Sequence, residues 1–130
     1  MLKKISLLAS VLYTISLTAL SLININDVVK DIPSFNDKVL HALVHFIFVI
    51  LWFIVFRYTL NKHYNKAILL AALSSVVYGI LIECFQSWIT VSRQSDYNDV
   101  FANVLGMVFA SILLITIKKH LLKNNNSLLF

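Results

Sequence analysis

Residues 83–106 read ECFQSWITVSRQSDYNDVFANVLG. Glu83 and Gln86 close one apolar run, Arg93, Asp96 and Asp99 follow, and Asn103 lies inside the next apolar run. Ionisable groups within a membrane helix are costly and mark function or helix pairing, so their place along the chain decides how it folds. The chain around this stretch has 130 residues, is 59% hydrophobic and 13% charged, and has two glycines and one proline. A soluble domain of this size cannot bury that much apolar surface.

The apolar residues fall into four blocks, 5–23, 39–57, 67–90 and 98–117. Each is near the roughly 20 residues that a helix needs to cross a bilayer. Helices rather than open strands are expected, because lipid leaves an unpaired backbone group unsatisfied. The expected fold is therefore all-α: a polytopic membrane protein, four transmembrane helices in a compact bundle, forming a single domain over 1–130. The first block follows Lys3 and Lys4 and ends on a poor small-residue cleavage site, Thr18-Ala19-Leu20-Ser21. Its apolar stretch is long for a signal peptide, so it reads as a retained helix.

Lysine and arginine counts orient the bundle. Lys3, Lys4, Arg57, Lys62, Lys66, Lys118, Lys119 and Lys123 share one side, and Lys30, Lys38 and Arg93 share the other. Eight against three places both termini in the cytoplasm and the first and third connections outside. The net charge of +5 is thus topological, and no nucleic-acid partner is expected. Cys84 is the single cysteine, so no internal disulfide can form.

With this topology three helix ends carry polar groups to one outer face. Asp37, His41 and His45 are four apart and form one stripe. Gly79, Glu83 and Gln86 form a second. Asp96, Asp99, Asn103 and Gly106 form a third, with Ser95 or Asp96 suited to an N-cap and Asp99 to the positive end of the helix dipole. Gly106 suits the close approach of a neighbouring helix. Trp88 and Tyr97 fit an interfacial aromatic belt. The expectation is a shallow polar pocket, open to the outside and floored by apolar side chains.

Taken in order, Asp37-Lys38-x-x-His41, Glu83-x-x-Gln86, and Arg93 with Asp96, Asp99, Asn103 and Gly106 resemble the VanZ-like family of small membrane proteins. The resemblance runs from about Asp37 to Leu114 and leaves the first span and the tail without a motif. It implies a multi-pass protein of the bacterial cytoplasmic membrane. It also implies a link to resistance to glycopeptide antibiotics, teicoplanin in particular, which act on wall precursors outside the membrane.

Candidate roles follow from residue chemistry. Glu83, His41 and Asp99 are the candidate catalytic groups. A buried carboxylate is pushed toward the range of a working acid or base, and histidine shuttles protons near neutrality. Lys38, Asp37, Gln86, Arg93, Asp96 and Asn103 are the candidate ligand-binding groups, with Arg93 able to grip a phosphate or carboxylate through its planar fork. The plainer alternatives are structural: Glu83 locking two helices through Arg93 or Lys38, His41 as an interhelical hydrogen-bonded histidine, His45 as a structural group, and Asp96 as a cap paired with Arg93. His41, His45, Glu83, Asp96 and Asp99 supply enough ligand atoms for zinc, but no metal motif accompanies them, so no metal or other cofactor is expected.

The expected function is binding of, or action on, a cell-envelope molecule such as a lipid-linked or wall precursor, or a glycopeptide-related ligand, in the bilayer. The alternatives are a non-catalytic accessory subunit whose polar cluster holds helices together, and a small proton-coupled transporter. The last fits less well, because such carriers use a glutamate near the bilayer centre, reachable from both sides.

Overall fold

The computed structural model describes residues 2–22, 34–89 and 97–127, with side-chain surroundings over 2–22, 37–89 and 97–121. The described chain is all helical: α1 Leu2–Leu22, α2 Ser34–Ile54 continued by a π-helical turn Val55–Thr59, α3 Tyr64–Ile89 and α4 Tyr97–Ser127. All four helices are long and apolar enough to cross a membrane. Arg93 and Asp96 lie outside the described residues.

α2 is the centre of the bundle and packs most extensively on α4, then on α3, while α1 lies against α2 and α3. The α2–α4 contact depends on small residues. Ala102, Gly106 and Ala110 are four apart and all buried, which gives α4 a smooth stripe. A Cβ at Gly106 would overlap the carbonyl oxygen of Ala42 on α2. Lipid tails are as apolar as leucine, so helices in a bilayer associate through such close packing and through hydrogen bonds rather than through hydrophobic burial.

Packing divides the bundle in two along its length. In the half nearer the chain termini, Val49, Phe53, Ala67, Ile68, Ala71, Ala110 and Leu114 form an apolar cluster. Tyr64 closes it by donating its hydroxyl to the Leu114 carbonyl at 2.9 Å. In the other half, the same helices bury the polar side chains of His45, Ser75, Glu83, Gln86 and Asn103 beside Ile82 and Ala102.

α1 is held mostly by polar clasps. Ser10 is its one buried residue among those described, and its hydroxyl reaches the Leu51 carbonyl at 3.2 Å. Tyr13 donates to the Val44 carbonyl at 2.8 Å, Trp52 Nε1 donates to Thr14 at 3.2 Å, and Thr18 shares a hydrogen bond with Tyr78 at 3.0 Å. Each such bond contributes about 0.6 kcal/mol in a membrane, so the set rather than any member fixes α1.

The turn between α2 and α3 shows why the chain needs asparagine there. The π-turn closes with Leu60 N–H on the Val55 carbonyl at 3.0 Å and Lys62 N–H on the Phe56 carbonyl at 2.9 Å. Asn61 then reverses the chain with φ 52°. Asparagine enters this left-handed region more readily than other residues with a Cβ, and glycine enters it freely. Asn61→Ala is therefore expected to cost about 1 kcal/mol, and Asn61→Gly to be neutral or slightly stabilising, read as thermal melting in detergent. Equal melting for Ala and Gly would contradict the assigned backbone.

Candidate functional site

The polar half of the bundle is built where α1 ends, α2 begins, α3 ends and α4 begins. A cavity of about 240 Å³ lies there, and all four helices line it. Its polar lining includes Asp37, His41, Tyr78, Gln86 and Asn103. Leu17 and Leu20 of α1, Leu40 and Val44 of α2, and Ile82 of α3 supply apolar walls. Ligand pockets commonly span about 300–1,000 Å³, so this volume suits a head group or a short portion of a larger molecule.

His41 is the hub of the polar contacts. Its Nδ1 shares a hydrogen bond with Asn103 Oδ1 at 3.2 Å. Its Nε2 lies 3.9 Å from Asp37 Oδ1, one turn earlier on α2, and 3.8 Å from Asp99 Oδ2 on α4. Lys38 completes the group with an ion pair to Asp99. The imidazole therefore has an amide on one nitrogen and carboxylates near the other. Such a ring is held in a fixed orientation between α2 and α4, as a group that relays a proton must be.

Asn103 is placed by Gly79. A Cβ at Gly79 would stand 3.0 Å from His45 Cε1 and 3.2 Å from Asn103 Nδ2, so the missing side chain leaves room for both. His45, one turn below His41, is buried and shares a hydrogen bond with Ser75 at 2.8 Å. Phe48 and Tyr78 pack on its ring, with centroids 6.1 and 6.0 Å away. These contacts give His45 a structural place between α2 and α3.

Glu83 and Gln86 lie on the buried face of α3, each 4% exposed. Gln86 Nε2 donates to the Ser21 carbonyl at the end of α1, at 2.8 Å. The three expected stripes thus face inward at one end of the bundle: Asp37, His41 and His45 on α2, Gly79, Glu83 and Gln86 on α3, and Asp99, Asn103 and Gly106 on α4. Trp88 and Tyr97 stand outside it, 84% and 90% exposed.

Asp37, His41 and Asp99 bring one potential metal-ligand atom each within 4.8 Å of one another, the one such set among the described residues. This set differs from the ligand list drawn from the sequence. His45 is engaged with Ser75 instead, and the Lys38 ammonium already neutralises Asp99. A lysine in that position competes with a cation for the same carboxylate.

Sequence reasoning missed the contribution of α1 and of Tyr78. The signal for α1 was present: Ser6, Ser10, Thr14 and Thr18 are four apart, followed by Ser21, and they form a hydroxyl stripe along one side of an otherwise apolar helix.

A family model described as VanZ/LLP1 matches residues 4–119. The chain belongs to the VanZ/LLP1 family. The match takes in α1 as well as the motif-bearing helices, in keeping with the lining that α1 gives the cavity. Comparison of this VanZ/LLP1 chain with curated proteins and with solved structures gives no significant match.

Proposed function

We propose that this VanZ/LLP1 protein sits in the bacterial cytoplasmic membrane with both termini inside, and that its polar cavity binds an anionic cell-envelope molecule on the extracytoplasmic face. The ligand class is a lipid-linked or wall precursor. The observation that carries this reading is the cavity itself, where polar groups from α2, α3 and α4 converge between apolar walls. Such a lining matches a molecule with a charged head and an apolar chain.

In this reading Lys38 and Arg93 hold the anion. His41 and Glu83 share a proton, and Asp99, Gln86 and Asn103 orient the head group. Sequestering or altering a wall precursor outside the membrane would lower susceptibility to a glycopeptide such as teicoplanin, and that is the cellular phenotype to score. The apolar cluster in the other half of the bundle favours a one-sided site over a transport path.

The test is the identity of lipids and wall precursors that copurify with the intact protein. Wild type is expected to retain one anionic precursor, and Glu83→Gln and His41→Gln to retain at least tenfold less at closely similar melting temperatures. Unchanged copurified lipids with lowered melting would instead support the accessory reading, in which the cluster only ties helices together.

A further inference from the structure

A second pocket lies at the opposite end of the bundle, between the first turn of α1 and the π-turn that ends α2. It has a volume of about 630 Å³. Leu2 and Ile5 of α1 and Ile54 of α2 give it apolar walls, and Lys3, Arg57 and Tyr58 give it a polar rim. The geometry points to a binding site for one anionic glycerophospholipid, with its phosphate at Lys3 and Arg57 and an acyl chain along Leu2, Ile5 and Ile54.

Three observations carry this assignment. The first is that the walls of the pocket are already set. Thr59 Oγ1 donates to the Lys3 carbonyl at 3.3 Å and shares a hydrogen bond with Ser6 at 3.1 Å, so the π-turn is pinned against α1. The π-turn ends α2 and carries Arg57 and Tyr58 into the lining of the pocket.

The second is the state of Arg57. One guanidinium nitrogen donates to the Lys62 carbonyl at 3.3 Å, and the group lies 5.6 Å from the centre of the Tyr58 ring. Both contacts orient the planar fork, and a guanidinium has five N–H donors, enough to hold a phosphate as well.

The third is charge. No aspartate or glutamate occurs in 1–26, 38–82 or 100–130, so the cationic rim has no acidic competitor from those segments. A zwitterionic head group would bring its own cation into this field, whereas an anionic one brings only complementary charge. Commitment to a lipid rather than a soluble phosphate follows from the exposed apolar walls, with Leu2 and Ile5 83% and 51% exposed at a membrane end.

Native mass spectrometry of the full chain, released from detergent supplemented with phosphatidylglycerol or phosphatidylcholine of the same acyl chains, tests this. Wild type is expected to retain phosphatidylglycerol in clear preference. Arg57→Gln and Lys3→Gln are each expected to lower that preference about fivefold, from about 1 kcal/mol per basic residue. Ile5→Trp, which fills the groove from an exposed position, is expected to lower retention of both lipids. Lys66→Gln and Lys119→Gln remove the same charge at the same end but outside the groove, and should leave the preference unchanged. Equal losses in those two controls would reduce the effect to diffuse surface charge and overturn the site. Unchanged preference in Lys3→Gln together with unchanged lipid retention in Ile5→Trp, two variants in the exposed first turn of α1 that do not endanger folding, would overturn it as well. Displacement of the bound lipid by millimolar glycerol 3-phosphate would show that the pocket reads a free phosphate, and would reject the lipid assignment.

Discussion

Gly106→Ala is expected to remove most of the folded protein from the membrane. The Cβ it adds would overlap the Ala42 carbonyl oxygen and stand 3.0 Å from the Ala42 Cα. These are backbone atoms in the middle of a helix, so no side-chain rotation relieves the overlap, and α2 and α4 must move apart. That is the most extensive helix pair in the bundle. Overpacking a well-fitted core costs about 1–3 kcal/mol even where side chains can give way, and here the upper end or beyond is expected. For a chain of this length about 3 kcal/mol corresponds to a fall of about 10 °C in melting midpoint. Gly79→Ala supplies the internal comparison. Its added Cβ would meet side-chain atoms of His45 and Asn103 at 3.0 and 3.2 Å, which can shift by a few tenths of an ångström. A cost of about 1 kcal/mol is expected for it, with the His41–Asn103 contact disturbed more than the fold. Melting of purified Gly106→Ala within 2 °C of wild type, by the same scale, would contradict the close α2–α4 approach.

The contrast between these glycines shows what a reader of the sequence can and cannot extract. The polar stripes were legible because lipid makes every polar residue conspicuous, and a spacing of three or four fixes a common helix face. Gly106 was legible for the same reason, since a glycine at helical spacing from Asn103 suggests close packing. Its partner, Ala42, was not, because an alanine in an apolar run carries no mark of which helix it meets. The place of His45 turns on Ser75, a residue of a different helix, and no spacing rule links the two. The contribution of α1 escaped for another reason. Serine and threonine satisfy their own hydroxyls on the preceding turn, as Thr14 does on Ser10 and Thr18 on Thr14, both at 2.8 Å. They therefore look neutral in a hydropathy profile while still reaching across to Trp52 and Tyr78. The π-turn at Val55–Thr59 left no signal beyond Asn61.

Breaking the Lys38–Asp99 pair is the second large effect expected, and it separates the two halves of the site. The side chains are 31% and 16% exposed, so the pair is neither fully solvated nor dry. Removing one partner of a buried hydrogen-bonded pair costs about 2–5 kcal/mol, mostly because the remaining charge is left uncompensated, and partial exposure puts this pair at the low end. Lys38→Gln leaves Asp99 with His41 Nε2, 3.8 Å from its second oxygen, as the nearest described cation when protonated. Asp99→Asn leaves Lys38 beside a neutral amide and takes one carboxylate away from His41. Each single variant is expected to lower stability by about 2 kcal/mol. The double variant, with neutral groups of nearly unchanged shape, is expected to recover about half of the summed loss. That recovery is a coupling energy of about 2 kcal/mol, within the range for groups in direct contact. Thermal melting of the four proteins in one detergent closes the cycle. Strict additivity would mean that the two helices do not meet through these side chains, and the site would then lose the contact that joins the start of α2 to the start of α4. Recovery of stability without recovery of the bound envelope molecule would assign the pair to ligand capture as well as to the fold. Recovery of both would leave His41 and Asn103 as the groups that face the ligand from those two helices.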